Sequence, residues 1–216
     1  PHRPSLWLAA AALVAFNPMF LFINASVHDD ALANLVAAAI LTVTARLMVH
    51  GPTVRRAVSL GVLLGMAILT KLTCLLIAPT VALALLGRPS PDGLRARLRD
   101  ALRFGGVIIL LALLIGGWWL VRNQLLYGEP TSMGRQVEAW GGPREDAPNL
   151  RAAARELGFL HDSFWGVFGY GQIPMPDWTY ALYRLLGLSA LGGLLLLGVR
   201  RRRGRRLGRR PGRRGE

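Results

Sequence analysis

Three small groups of residues carry the types and spacing that could support chemistry. The first is His28-Asp29-Asp30, two adjacent carboxylates beside an imidazole. Such a set can ligate a divalent cation, hold a cationic group, or act as acid and base. The same residues also suit a helix cap in a solvated loop. The second is Lys71, the single lysine among 26 basic residues, so that any use of an ammonium falls on this one position. It sits in Thr70-Lys71-Leu72-Thr73, within an otherwise apolar stretch. An ammonium at the bilayer centre costs about 2.5–3.5 kcal/mol, so Lys71 is expected at a cavity or an interface. There it can bind a phosphate or simply mark a turn. The third runs from Trp118-Trp119 through Arg122-Asn123 to Tyr127-Gly128-Glu129-Pro130. A guanidinium binds phosphate oxygens through a two-pronged fork, although an aromatic belt with an ordinary interfacial arginine would read the same way. Further on, Ser163-Phe164-Trp165-Gly166 and Asp177-Trp178 offer flat aromatic faces to a sugar ring or to lipid.

The elements that position these groups are apolar spans. The chain has 216 residues, 52% of them hydrophobic, gathered in long uncharged blocks rather than alternating with polar residues. This pattern predicts an all-α, polytopic membrane helix bundle of about six transmembrane helices. The spans are expected near residues 5–23, 30–49, 57–70, 72–87, 104–121 and 179–199. The first is bent at Asn17-Pro18. The block from 57 to 87 would be about 46 Å long as one helix, against a hydrocarbon core of about 30 Å, so two spans meeting near Lys71 fit better. The bundle is expected to occupy residues 1–199. An outer loop over 122–178 should carry an amphipathic helix at about 150–168 on the membrane surface. Its apolar positions, Leu150, Ala154, Leu157, Leu160, Phe164 and Phe168, recur at helical spacing. Residues 134–148, punctuated by Gly and Pro, are expected to be irregular.

Charge orients the bundle. Ten arginines fall between Arg200 and Arg214, in a tail (200–216) expected to be disordered and cytoplasmic. With both termini inside, 19 of the 26 basic residues lie on the inner side and nine of the 12 acidic residues on the outer. This agrees with the positive-inside rule. The net charge of +14 therefore reports topology and contact with anionic membrane lipids. Nucleic acid is not expected as a partner, because no aromatic residue or recognition fold accompanies the arginine tail. Cys74, the one cysteine, excludes an intrachain disulfide and reads as a packing residue. The scarcity of lysine suggests a GC-rich bacterial genome, and the expected location is a bacterial cytoplasmic membrane.

Four stretches together resemble bacterial GT-C-type polyprenyl-phosphate-dependent glycosyltransferases, such as the protein O-mannosyltransferases and the aminoarabinose transferases of lipid A. They are Asn17-Pro18 with His28-Asp29-Asp30; Gly61-x3-Gly65-x4-Thr70-Lys71; Trp118-Trp119 through Arg122-Asn123 to Tyr127-Gly128-Glu129-Pro130; and Ser163-Phe164-Trp165-Gly166 through Asp177-Trp178. The resemblance implies transfer of a sugar from a polyprenyl-phosphate donor to a lipid, glycan or protein acceptor on the outer membrane face. It implies supporting catalytic roles for Asp30 and Asp29, and substrate contacts from Lys71, Arg122, His28, Tyr127, Trp165 and Trp178. A divalent cation is compatible with the acidic cluster. Enzymes of this class carry their principal acid in a large outer loop after the first span. No such loop lies ahead of residue 5 here. The chain, which begins at Pro1, is accordingly expected to be an N-terminally truncated fragment, inactive alone. The competing readings are a non-catalytic membrane assembly protein or truncated remnant, and a transporter or flippase. The sparse polarity within the spans and the lack of an internal repeat disfavour transport.

Overall fold

A computed structural model describes residues 4–87, 93–139, 141–142 and 149–207. The helices are α1 (Pro4–Ala15), α2 (Pro18–Ala25), α3 (Asp29–His50), α4 (Val54–Thr70), α5 (Ala78–Gly87), α6 (Gly93–Tyr127), α7 (Met133–Ala139), α8 (Leu150–Gly166), α9 (Phe168–Gly171) and α10 (Asp177–Leu207), with a 3-10 segment at Leu72–Ile77. Extended structure among the described residues amounts to one short pairing, Val167 with Pro174 and Phe168 with Ile173. The all-α membrane bundle expected from composition is what is found. Three helices are long and apolar enough to cross a bilayer: α3, α6 and the Asp177–Val199 part of α10. The α1–α2 pair, bent by 58°, makes a fourth if it is one span. The six expected apolar segments are all helical. However, α4, with 17 residues, and Leu72–Gly87 fall short of spanning length. The bend lies where Asn17-Pro18 puts it. Asn17 Oδ1 accepts from the Phe20 amide at 2.9 Å, capping a helix that restarts on a proline.

The chain divides into two compact units, Ile23–Ala147 and the pair Pro1–Phe22 with Pro148–Glu216. In the first, α3 buries one stripe, Ala33, Val36, Ile40, Thr44 and Leu47, at spacings of three and four. Thr53 caps α4 by accepting from the Arg56 amide, and Arg56 Nη1 donates to the Gly51 carbonyl at 2.6 Å. The loop is therefore short and α3 and α4 run antiparallel, with Asp30 meeting Lys71 at the far end.

The core of this unit is the contact between α4 and α6. Their numbers rise together: Gly61 lies against Ile108 and Leu111, Gly65 against Ala112 and Ile115, and Gly116 against Ile68. The two helices are therefore parallel. A Cβ placed on Gly65 would come within 2.6 Å of Ile115 Cβ, and one on Gly116 within 2.7 Å of Ile68 Cβ. Only glycine permits this approach, the small-xxx-small packing of membrane helices. Between them the chain turns back at Lys71, whose backbone is extended. Neither glycine nor proline marks that break; Pro79 lies further on, in the first turn of α5. It has no N–H for the Leu75 carbonyl and is tolerated only in a first turn, which fixes the start of α5 beside it. Two apolar segments thus meet at Lys71, as length required.

Three local expectations are corrected. The basic stretch 93–103 belongs to α6 rather than to a loop, so this helix is 35 residues long. Part of the stretch read as irregular from Gly134 is α7. The tail read as disordered from residue 200 continues α10 through Leu207, since the polyarginine run contains no proline before Pro211 to stop a helix already propagating. Residues 208–216 lie outside those described.

In the second unit the amphipathic pattern at 150–168 corresponds to α8. Tyr180, 5% exposed, locks the following corner: its hydroxyl donates to the Gly166 carbonyl at 2.7 Å and accepts from the Met175 amide at 2.8 Å. Asn17 Nδ2 donates to the Phe164 carbonyl at 3.2 Å, and Phe22 meets Phe168 edge-on at 5.0 Å.

Candidate functional site

His28 is the N-cap of α3, with extended backbone, and its Nδ1 accepts from the Asp30 amide at 3.4 Å. Asp29 and Asp30 occupy the first helical turn, where the helix dipole favours negative charge. The imidazole Nδ1 lies 2.5 Å from Asp29 Oδ1 and 3.0 Å from Asp30 Oδ2. Lys71, at the break after α4, hydrogen-bonds Asp30 Oδ1 and lies 3.9 Å from Asp29 Oδ2. Two carboxylates, one imidazole and one ammonium therefore form a single cluster at the end of the α3–α4 hairpin, about one-third exposed at Asp30 and Lys71. The ligand atoms of His28, Asp29 and Asp30 lie within 4.8 Å of one another, a donor set suited to a hard divalent cation.

Arg122 and Tyr127 belong to a second place. Ile68 packs on Gly116, so Lys71 and Arg122 both lie beyond that contact, toward the same end of the unit. Arg122 stacks over the Trp119 ring at 5.0 Å, and Arg135, from α7, over the Tyr127 ring at 6.0 Å. These four residues, with Ser132 and Gln136, line a cavity of about 440 Å³. Asn123, only 3% exposed, ties it together by donating to the Pro130 carbonyl at 3.3 Å and accepting from Arg122 Nη1 at 3.5 Å. Gly128, at φ +78, closes α6 in the left-handed conformation that glycine favours. Glu129 accepts from the amides of Gly134 and Arg135, both at 3.0 Å. These backbone donors, with Arg135 nearby, hold its carboxyl below the ordinary range.

Trp165 and Trp178 lie in the other unit. Trp165 stacks flat on Tyr183 at 4.0 Å, so one of its two faces is already covered, whereas Trp178 is exposed. Beside them Arg184 grips both oxygens of Asp162, at 2.7 and 2.8 Å, and His161 adds a contact at 2.8 Å. Desolvation pushes the Asp162 carboxyl up, but its hydrogen bonds to His161 and Arg184 outweigh it and hold the carboxyl below its usual range.

A family model described as a predicted membrane protein (DUF2142) matches residues 1–209. The chain belongs to the DUF2142 family. No curated protein and no solved structure matches it. In this DUF2142 chain His28, Asp29, Asp30 and Lys71 come together and Arg122 and Tyr127 share a separate pocket. Sequence reasoning missed Arg135, on the short helix α7, and Ser132, just before it, in a stretch with no periodic pattern. It also missed the tie from Arg184 to Asp162, although an arginine inside an apolar span was a signal that some partner was needed.

Proposed function

We propose that this chain is part of a membrane glycosyltransferase that moves a sugar from a polyprenyl-phosphate donor to an acceptor hydroxyl on the outer face of a bacterial cytoplasmic membrane, with both termini cytoplasmic. The observation that carries the reading is the His28–Asp29–Asp30–Lys71 cluster, a carboxylate–imidazole–ammonium set at the same end of one helical unit as Arg122. In the reaction the acceptor oxygen attacks the anomeric carbon, the bond from that carbon to the phosphate oxygen breaks, and the acceptor proton leaves to a base. Asp30 and Asp29 support that proton transfer, and His28 beside them contacts the substrate. Cationic donors stabilise charge growing on the departing phosphate. A lipid-borne donor accounts for the setting, since its tail would lie in the bilayer beside α3 and α6 and its phosphate at their ends. Trp165 and Trp178, in the other unit, are aromatic faces of the kind that suit a sugar or a lipid.

The test is transfer from a labelled polyprenyl-phosphate sugar by the full-length protein in lipid nanodiscs. Asp30→Asn, Lys71→Ala and Arg122→Ala are each expected to lower the rate at least about tenfold, the scale of a lost acid–base or electrostatic group. Wild-type rates in all three would remove the assignment.

A further inference from the structure

The two basic groups assigned to phosphate differ in one respect. Lys71 is already neutralised by Asp30 and Asp29. Arg122 and Arg135 form no ion pair with a carboxylate among the described residues, and no acid lines the cavity they share. Glu129, the nearest acid in sequence, is held instead on the backbone amides of Gly134 and Arg135. The cavity lining thus carries two positive charges and no acid, with Glu129 near Arg135 but engaged by backbone amides.

A second observation points to a ligand. Ser132 lines the same cavity, and its Oγ is buried without a hydrogen-bond partner. Its backbone sits at φ +55, a conformation in which glycine would be unstrained and serine is not. A side chain kept in a strained position with an unsatisfied hydroxyl is a donor awaiting an acceptor. We infer that this pocket is a phosphate site, in which the guanidinium groups of Arg122 and Arg135 and the hydroxyl of Ser132 hold the oxygens of a phosphate ester, with Trp119 and Tyr127 fixing the two arginines by stacking. For the lipid identity of that ester the inference rests on the function proposed above; the anion site itself requires no sugar transfer. It moves the phosphate from Lys71 to a pocket in which Arg135 and Ser132 are the new ligands.

The test is equilibrium binding to the full-length protein in phosphatidylcholine nanodiscs, with inorganic phosphate in one arm and a polyprenyl phosphate in the other. Either ligand is expected to bind wild type and to lose about tenfold in affinity in Arg135→Gln and in Arg122→Gln, one charge-assisted contact each. Ser132→Gly relieves the backbone while deleting the hydroxyl and is expected to cost about fivefold, with the thermal midpoint retained. Arg103→Gln, toward the other end of α6, is expected to leave binding unchanged. Binding of the polyprenyl phosphate alone assigns the site to a lipid headgroup, and equal binding of inorganic phosphate assigns it to a free anion. Binding of neither, or binding untouched by all three pocket substitutions, overturns the site. Phosphate binding without sugar transfer would remove the proposed reaction and leave the pocket standing.

Discussion

Lys71 and Arg122 are both cations at one end of the same helical unit, and their surroundings make them opposite kinds of group. Lys71 faces two carboxylates and an imidazole at the capped start of α3, so its charge is compensated within the fold. Arg122 faces a second arginine, two aromatic rings and an unpartnered hydroxyl. A compensated cluster can exchange protons and hold its shape; an uncompensated pocket awaits an anion. The difference follows from topology: α3 returns antiparallel to α4 and delivers acids to Lys71, whereas α6 runs parallel to α4 and the segment after it brings Arg135, and no acid, to the lining around Arg122.

The contrast can be broken at its frame. Gly65→Leu drives a side chain into Ile115 and should separate α4 from α6, lowering stability in detergent by about 3 kcal/mol or more and disturbing both places together. Next in size is Lys71→Ala. It removes the ammonium from a partly buried Asp30, leaving only the contact with His28, and should cost about 1–2 kcal/mol, between the values for exposed and buried pairs. Adding Asp30→Asn should return part of that loss, read from thermal unfolding of the double variant. Arg122→Gln should behave the other way, with a stability change under about 0.5 kcal/mol, because it removes repulsion from Arg135 together with one aromatic contact. An equal loss of stability in the two single variants would erase the distinction.

The smallest effect expected is a pH dependence at the rim of the pocket. The folded state lowers the Glu129 pKa, so its contribution is fully present above the ordinary glutamate value of about 4.3. It is lost as pH falls through the lower folded value. Phosphate binding should therefore weaken below about pH 4 in wild type beyond what phosphate titration explains, and Glu129→Gln should abolish that extra step. A Glu129→Gln profile that overlays wild type would show that the carboxylate does not brace the loop.

Much of this arrangement was legible in the residues. Long apolar blocks announced the bundle, Asn17-Pro18 the bend, and the length of 57–87 the reversal at Lys71. His28-Asp29-Asp30 and Lys71 were each identifiable by type, because acids and a sole lysine stand out against apolar surroundings. Their contact was not, since 41 residues separate Asp30 from Lys71 and only the antiparallel hairpin joins them. The Gly61, Gly65 and Gly116 contact was hidden for the same reason: a small-residue stripe does not name its partner. Ser132 was beyond reach, because backbone strain and an unsatisfied hydroxyl are properties of a folded loop rather than of a serine codon. The helical stretch at 93–103 was missed because its arginines suggested a loop, whereas arginine is a good helix former.

The most direct measurement sets Asp30→Asn beside Arg122→Gln in the full-length protein in nanodiscs, reading polyprenyl-phosphate affinity and sugar-transfer rate on the same samples. The account predicts that Asp30→Asn keeps the affinity and loses at least about tenfold in rate, while Arg122→Gln loses about tenfold in affinity. Wild-type transfer by Asp30→Asn together with undiminished affinity in Arg122→Gln would contradict it.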